Sequence, residues 1–61
     1  MNTLTIIENS TLRGKMLSVA YRPDESFIIA EEIKGGNVIA LANNGTQYCF
    51  DLDDEDIEVI G

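Results

Sequence analysis

The residues with the clearest chemical potential are acids, and most of them lie near the end of the sequence. Six of the eleven acidic residues fall within one short run: Asp51, Asp53, Asp54, Glu55, Asp56 and Glu58. Carboxylates can bind calcium, but a calcium hand also needs glycine at its sixth position and a bidentate glutamate at its twelfth. A loop starting at Asp51 has Asp56 at the sixth position, and its twelfth position falls beyond residue 61. The pattern excludes a calcium hand and favours a solvated acidic turn, with loose divalent-ion binding as the alternative.

No other pattern in the chain indicates catalysis. Adjacent acids such as Glu31-Glu32 need a cleft and a fixed separation to act as a catalytic pair, and so small a core leaves little room for a cleft. Cys49 has no histidine to activate it, because the chain contains none. Gly35-Gly36 is not followed by the lysine and serine or threonine of a phosphate-binding loop. We therefore expect no enzyme activity, no cofactor and no dedicated metal site.

Length and charge restrict the function further. The 61 residues form one predicted domain, residues 1–61, and a single cysteine cannot form an internal disulfide. The net charge of −7 disfavours direct binding to nucleic acid or to an anionic membrane, since both attract clustered lysine and arginine. It favours a basic partner protein, because complementary charge speeds association. The sequence starts without a signal peptide and has no membrane-length apolar run, so we predict a cytoplasmic protein.

The acidic run must be positioned by the elements around it, and the clearest of these is a hairpin over residues 37–52. Asn44-Gly45 lies between two apolar runs, which predicts a type I′ turn. That turn pairs Ala42 with Gln47, Leu41 with Tyr48, Ala40 with Cys49, and Ile39 with Phe50. The predicted core face carries Ile39, Leu41, Tyr48, Phe50 and Leu52. The opposite face carries Ala40, Ala42, Gln47, Cys49 and Asp51.

The rest of the chain is also read as strands. Outside the hairpin, the predicted strands cover residues 3–7, 15–21, 27–33 and 57–60. In the second of these, Leu17, Val19 and Tyr21 share one face. Residues 52–55 predict a single 3₁₀ turn before the last strand. The predicted fold class is all-β, with five or six antiparallel strands.

The length of the loop that precedes the hairpin is predicted from the cost of burying a charged side chain. A two-residue Gly-Gly loop would place Glu32 on the core face, which costs several kcal/mol for an unpaired carboxylate. A three-residue loop, Gly35-Gly36-Asn37, pairs Ile33 with Ile39 instead. Glu31 still shares the face of Ile33, so we expect either a β-bulge near Glu31-Glu32 or a position at the rim of the sheet.

This order of strands and turns resembles the SH3-like small β-barrels, with the Tudor and KOW domains as the nearest branches. The resemblance covers residues 13–60 and rests on the strand beginning Gly14-Lys15, on Asn44-Gly45 and on the acidic segment before Ile57-Glu58-Val59-Ile60. It implies a small antiparallel barrel. Tudor domains hold methylated arginine or lysine in an aromatic cage, so it also implies Tyr21 and Phe27 as candidate aromatic contacts. KOW domains that bind RNA carry basic loops, which this chain lacks.

The leading functional hypothesis is a non-catalytic interaction module whose six clustered acids dock on a basic protein surface. Some small acidic accessory proteins of phages and mobile elements block nucleic-acid-binding enzymes by imitating phosphate charge. Analogy of size and charge extends this hypothesis to the present chain, as an inhibitor or regulator of a nucleic-acid-binding protein. One alternative is a structural subunit that forms a homo-oligomer through a sheet edge or through the Ala40/Ala42/Cys49 face. Another is a Tudor-like ligand-binding module. A charge that serves solubility alone is the simplest competing interpretation.

The thiol allows a first test. Because Cys49 is predicted to lie away from the core without an activating histidine, Cys49→Ser and Cys49→Ala should leave the free energy of unfolding within about 0.5 kcal/mol of the parent. Urea unfolding of the three proteins measures this difference. A large loss of stability in either variant contradicts the prediction. An intermolecular disulfide isolated from cells would contradict the expected reducing, cytoplasmic location.

Overall fold

The sheet contains six strands, and the computed structural model describes residues 4–61 of the chain. The strands are β1 (Ile6–Ile7), β2 (Met16–Val19), β3 (Phe27–Ile33), β4 (Asn37–Ala42), β5 (Gln47–Asp51) and β6 (Ile57–Ile60). All pairings are antiparallel, and the order is β5-β4-β3-β2-β6 with β1 also paired to β3. The prediction of an all-β antiparallel fold is confirmed. Pairing between β5 and β6 is not seen among these residues, so closure into a barrel is not detected.

Strand β3 organises the sheet and has the bounds that the sequence predicts. Its run of β-branched and aromatic residues suits a pleated strand that is covered on one face. One edge pairs with β4, whereas the other pairs with β2 at its beginning and with β1 at its end. Hydrogen bonds from Gly14 N to Ile29 O (2.8 Å) and from Ile29 N to Lys15 O (2.9 Å) extend the β2 pairing. Thr3, in the first predicted strand, lies outside the described residues.

The loop between β3 and β4 has three residues, as predicted, but a different register. Ile33 pairs with Asn37 rather than with Ile39, so the loop consists of residues 34–36. Gly35 and Gly36 have φ values of 104° and 91°, which glycine adopts without steric cost, so the loop centres on them. The register shifts between Ile29 and Glu31, which confirms a bulge close to the predicted position.

The β4–β5 turn differs from the prediction by one residue. Gly45 N donates to Ala42 O and Ala42 N donates to Thr46 O, both at 2.9 Å. Gly45 has φ +87°, whereas no non-glycine residue among those described has positive φ, so Asn44 cannot occupy the position that a type I′ turn requires. The geometry is that of a type I turn followed by a glycine bulge. Leu41 consequently pairs with Gln47 rather than with Tyr48.

This shift exchanges the two faces of β4. Ile39 is half-buried and Leu41 is 38% exposed, so the prediction that they are core residues is wrong. The core face of β4 carries Val38, Ala40 and Ala42 instead, all of which are buried. A one-residue change of register moves every side chain of a strand to the other face, and that is the physical reason for the error.

The core packs large aromatic side chains of one strand against small side chains of the next. Phe27 pairs with Ala42 and Tyr48 pairs with Ala40. Phe27 lies edge-on to Phe50, with ring centroids 5.1 Å apart, and edge-on to Tyr48 at 5.6 Å. Phe50 is buried and Tyr48 half-buried, as predicted for their face of β5. The buried core cluster comprises Leu17, Val19, Phe27, Ile29, Val38, Ala40, Ala42, Phe50 and Ile57.

Two smaller expectations are also corrected. Strand β2 ends at Val19, so Tyr21 lies in a turn and is 57% exposed rather than sharing the buried face of Leu17 and Val19. Residues 52–55 form hydrogen-bonded turns and not a 3₁₀ helix. Among residues 4–61 there is no helix of the length and apolarity needed to cross a membrane.

The corrected register can be tested by overpacking. Ala40→Val adds two methyl groups at a site with no exposed surface and should lower the free energy of unfolding by about 1–3 kcal/mol. Cys49→Val adds bulk on the exposed side of the neighbouring strand and should change it by less than about 0.5 kcal/mol. Urea unfolding compares the two. Equal effects, or a larger effect at Cys49, would mean that the predicted register is the true one.

Candidate interaction surfaces

The acidic run lies mainly in the loop of residues 52–56, which joins β5 to β6. The loop is held at both ends, because Leu52 N donates to Gly36 O (2.7 Å) and Ala20 N donates to Asp56 O (2.9 Å). Leu52 packs against the core cluster and Ile57 belongs to it. The loop therefore crosses from one outermost strand to the other on the side of the sheet that carries the core.

Within the loop, two acids hold the backbone in place. Asp51 Oδ1 accepts a hydrogen bond from Asp53 N, and Asp54 Oδ1 accepts one from Asp56 N, both at 2.9 Å. The backbone adds bonds from Asp54 N to Asp51 O (3.1 Å) and from Ile57 N to Asp54 O (3.0 Å). Aspartate commonly bonds the backbone two residues ahead in this way. Asp51 and Asp54 thus shape the loop as well as carrying charge.

The six acids of the run are exposed and carry uncompensated charge. Within the described part of the chain, the salt bridges lie elsewhere and join Arg13 to Glu31 (2.7 Å) and Arg22 to Glu25 (3.2 Å). Glu31 Oε1 lies within salt-bridge distance of Arg13 Nε but accepts no hydrogen bond within the described residues. Residues 4–61 contain no group of three or more acids or cysteines arranged to hold a metal ion.

The two candidate aromatic contacts are not equivalent. Tyr21 is exposed, whereas Phe27 has no exposed surface and its ring contacts Tyr48 and Phe50. The cation next to these rings comes from the chain itself, since the Arg22 guanidinium lies 4.7 Å from the centroid of Tyr48. Arg22 Nη1 also donates to Tyr48 Oη (3.3 Å).

Arg22 is fixed by a small network of charge and hydrogen bonds. Desolvation tends to lower the pKa of its guanidinium, but interactions with Tyr48 and Glu25 outweigh this and raise the pKa above its usual value. Arg22 therefore stays charged and remains the cation that covers Tyr48.

A surface that sequence reasoning missed lies on the other side of the sheet. Four apolar residues on neighbouring strands pair with one another in sequence across the sheet, so their side chains form one line on one face. They are Ile60 on β6, Met16 on β2, Ile28 on β3 and Leu41 on β4. We call this line the outer apolar row. Its members are 45%, 47%, 50% and 38% exposed, respectively. The sequence signal was the unbroken apolar run Phe27-Ile28-Ile29, in which alternate residues must face opposite sides.

The outer apolar row borders a shallow depression of about 330 Å³. The residues that line the depression are Met16, Ser26, Ile28, Leu41, Ala42 and Asn43. Its surface is mostly apolar and carries no charged side chain among the described residues. It can accept an apolar side chain, and it offers no ionisable group for catalysis.

The Ala40/Ala42/Cys49 face does not exist as a surface. Ala40 and Ala42 are buried in the core, whereas Cys49 is exposed on the opposite side and pairs with Ile39. The free, exposed state of Cys49 agrees with the expectation of a surface thiol.

Comparisons of the chain with protein-family models, with curated proteins and with solved structures found no match.

Because Asp51 and Asp54 accept hydrogen bonds from the loop backbone, asparagine and alanine substitutions at these positions should have different effects. Asp51→Ala and Asp54→Ala each remove a side-chain acceptor and should lower the free energy of unfolding by about 0.5–1 kcal/mol. Asp51→Asn and Asp54→Asn keep an acceptor and reduce repulsion between neighbouring acids, so stability should stay equal or rise slightly. Thermal and urea unfolding at low ionic strength measure both pairs. Asparagine variants as unstable as the alanine variants would contradict this role.

Proposed function

We propose that the protein is a non-catalytic interaction module whose acidic loop docks on a basic surface of another protein. The supporting observation is that the six acids between Asp51 and Glu58 are exposed and take part in no salt bridge within residues 4–61. A partner that brings lysine and arginine supplies the counter-charge that this chain does not.

The fixed ends of the loop favour recognition over simple charge attraction. Asp51 and Asp54 hold the backbone of the loop, while Leu52 packs on the core cluster. A loop that is ordered before binding loses less conformational entropy when the complex forms. Charge complementarity then contributes chiefly to the association rate and to the choice of partner.

The partner class that fits best is a protein that itself binds nucleic acid. Such proteins present clustered lysine and arginine side chains to phosphates, and a row of carboxylates offers the same charge to the same side chains. Binding of this module would then inhibit or regulate its partner by occupying the basic surface.

We also infer that the sheet has the SH3-like architecture that the strand order resembles. The support is a set of short antiparallel strands around a bulged β3, with β2 shared between β3 and β6. The acidic loop then lies where such small barrels connect their last two strands. This fold assignment carries no activity by itself.

Charge removal tests the docking proposal. The variant Asp53→Asn/Asp54→Asn/Asp56→Asn keeps the acceptor at residue 54 and should have equal or slightly higher thermal stability. Its capture of the partner from lysate should fall strongly at low salt when measured by quantitative mass spectrometry. With the isolated partner, the loss of affinity should shrink as salt rises, because exposed charges are screened beyond about 8 Å at physiological ionic strength.

A matched control separates loop charge from total charge. Glu8→Gln/Asp24→Asn/Glu32→Gln also removes three negative charges, and the side-chain amide introduced at position 32 can still accept the hydrogen bond that Ser10 Oγ donates there at 2.6 Å. This control should bind as the parent does. If the loop variant binds as tightly as the parent at low salt, or if both triple variants lose binding equally, the acidic loop is not the docking site.

A further inference from the structure

We propose that two copies of this chain associate face to face through the outer apolar row. This inference is independent of the acidic docking proposed above, because it concerns the opposite side of the sheet. Four apolar side chains, each 38–50% exposed, form a continuous line there, and nothing within residues 4–61 covers them.

The row is compatible with its own twofold copy. A twofold axis in the interface, parallel to the strands, places Ile60 of one copy over Leu41 of the other and Met16 over Ile28. Because the sheet curls around the core, the closest contacts lie at the centre of the row, between Met16 and Ile28 of the two copies. The depression beside Leu41 can receive a side chain from the second copy. Two sheets packed in this way lie about 10 Å apart, as in other sheet-on-sheet interfaces.

Charge distribution selects a second copy over a basic partner at this face. The uncharged side chains Ser18, Gln47 and Cys49 share the face with the row. Glu31, which pairs with Ile39 on this face, is neutralised by its ion pair with Arg13. The unpaired carboxylates of this face belong to Asp51 and Glu58, whose strands are the outermost two. The loop that carries residues 53–56 lies on the core side. The net charge of −7 is therefore mostly held away from the row, and a lysine-rich partner finds little to bind beside it.

The size of the chain indicates both why association helps and how strong it should be. A domain this small buries a limited core, and oligomerisation is a common way to add apolar burial. A standard interface takes about 800 Å² from each partner, which is about a fifth of the 4301 Å² surface of this chain. The row alone covers less than that. The dimer should therefore form reversibly and depend on concentration.

Analytical ultracentrifugation over concentrations from about 1 µM to about 1 mM tests the proposal. The parent should shift from 6.7 kDa towards twice that mass as concentration rises. Ile28→Thr, which makes the centre of the row polar, should raise the dissociation constant at least tenfold. Ile6→Thr is the matched control, because Ile6 has similar exposure (44%) but lies beside Ile33 at the far end of β3. It should leave the dissociation constant within twofold.

A second measurement uses the unmodified protein, so it gives a result even if a variant fails to fold. On dilution, NMR shift changes should concentrate at Met16, Ile28, Leu41 and Ile60, and the loop of residues 53–56 should not change. A monomer at every concentration, or equal weakening by both threonine variants, overturns the proposal. The proposal is also wrong if the parent is monomeric and the Ile28→Thr variant no longer binds a basic partner protein. The outer apolar row would then be the binding surface for that partner. Removal of the loop charges should leave self-association in place, so failure of one proposal is distinguishable from failure of the other.

Discussion

The packing of the rings of Phe27, Tyr48 and Phe50, with Ala42 and Ala40 as the β4 neighbours of the first two, is the constraint on which the rest of this structure depends. The rings contact one another at centroid distances of 5.1–5.8 Å, and Ala40 and Ala42 leave the space that they fill. Isoleucine or leucine at those two sites would compete with the rings for the same volume. The larger side chains of β4, Ile39 and Leu41, must consequently face the other way. One packing choice thus creates both the core and the apolar surface outside it.

Much of the fold could be predicted from local patterns, and the errors have a common origin. Strand β3, the length of the glycine loop and the bulge near Glu31 are predicted correctly. The charge argument behind the loop is wrong for Glu32, which pairs with the buried Val38 and has a carboxylate that accepts a hydrogen bond from Ser10. The face of β4 could not be predicted in the same way. Asn-Gly is compatible with two turn types that differ by one residue, and the choice depends on the aromatic packing, which is a tertiary effect. The larger residues looked like core residues only because volume is usually a good guide to burial.

The candidate surfaces also differ in how much of each could be predicted from the sequence. The acidic run was visible because charge clustering is a property of the sequence alone, whereas the bonds by which Asp51 and Asp54 shape the loop depend on the turn geometry. The apolar run around Ile28 indicates one outward-facing residue, but the outer apolar row as a whole could not be identified from the sequence, because its members come from four strands. Their alignment follows from registers that a single sequence does not specify. Phe27 was proposed as a ligand contact because it is aromatic, but it lies at the centre of the core.

The edges of β5 and β6 have a further consequence, which concerns misassembly. Strands β5 and β6 are not joined to each other within residues 4–61, so each leaves backbone donors and acceptors along one side. Such sides are templates for strand addition and, in apolar sequences, for amyloid-like aggregation. Asp51 and Glu58 lie on these two strands, and a copy that added itself in register there would place like charges side by side. Acids at these positions oppose strand addition at both edges, which is one way in which natural sheets limit edge-to-edge aggregation.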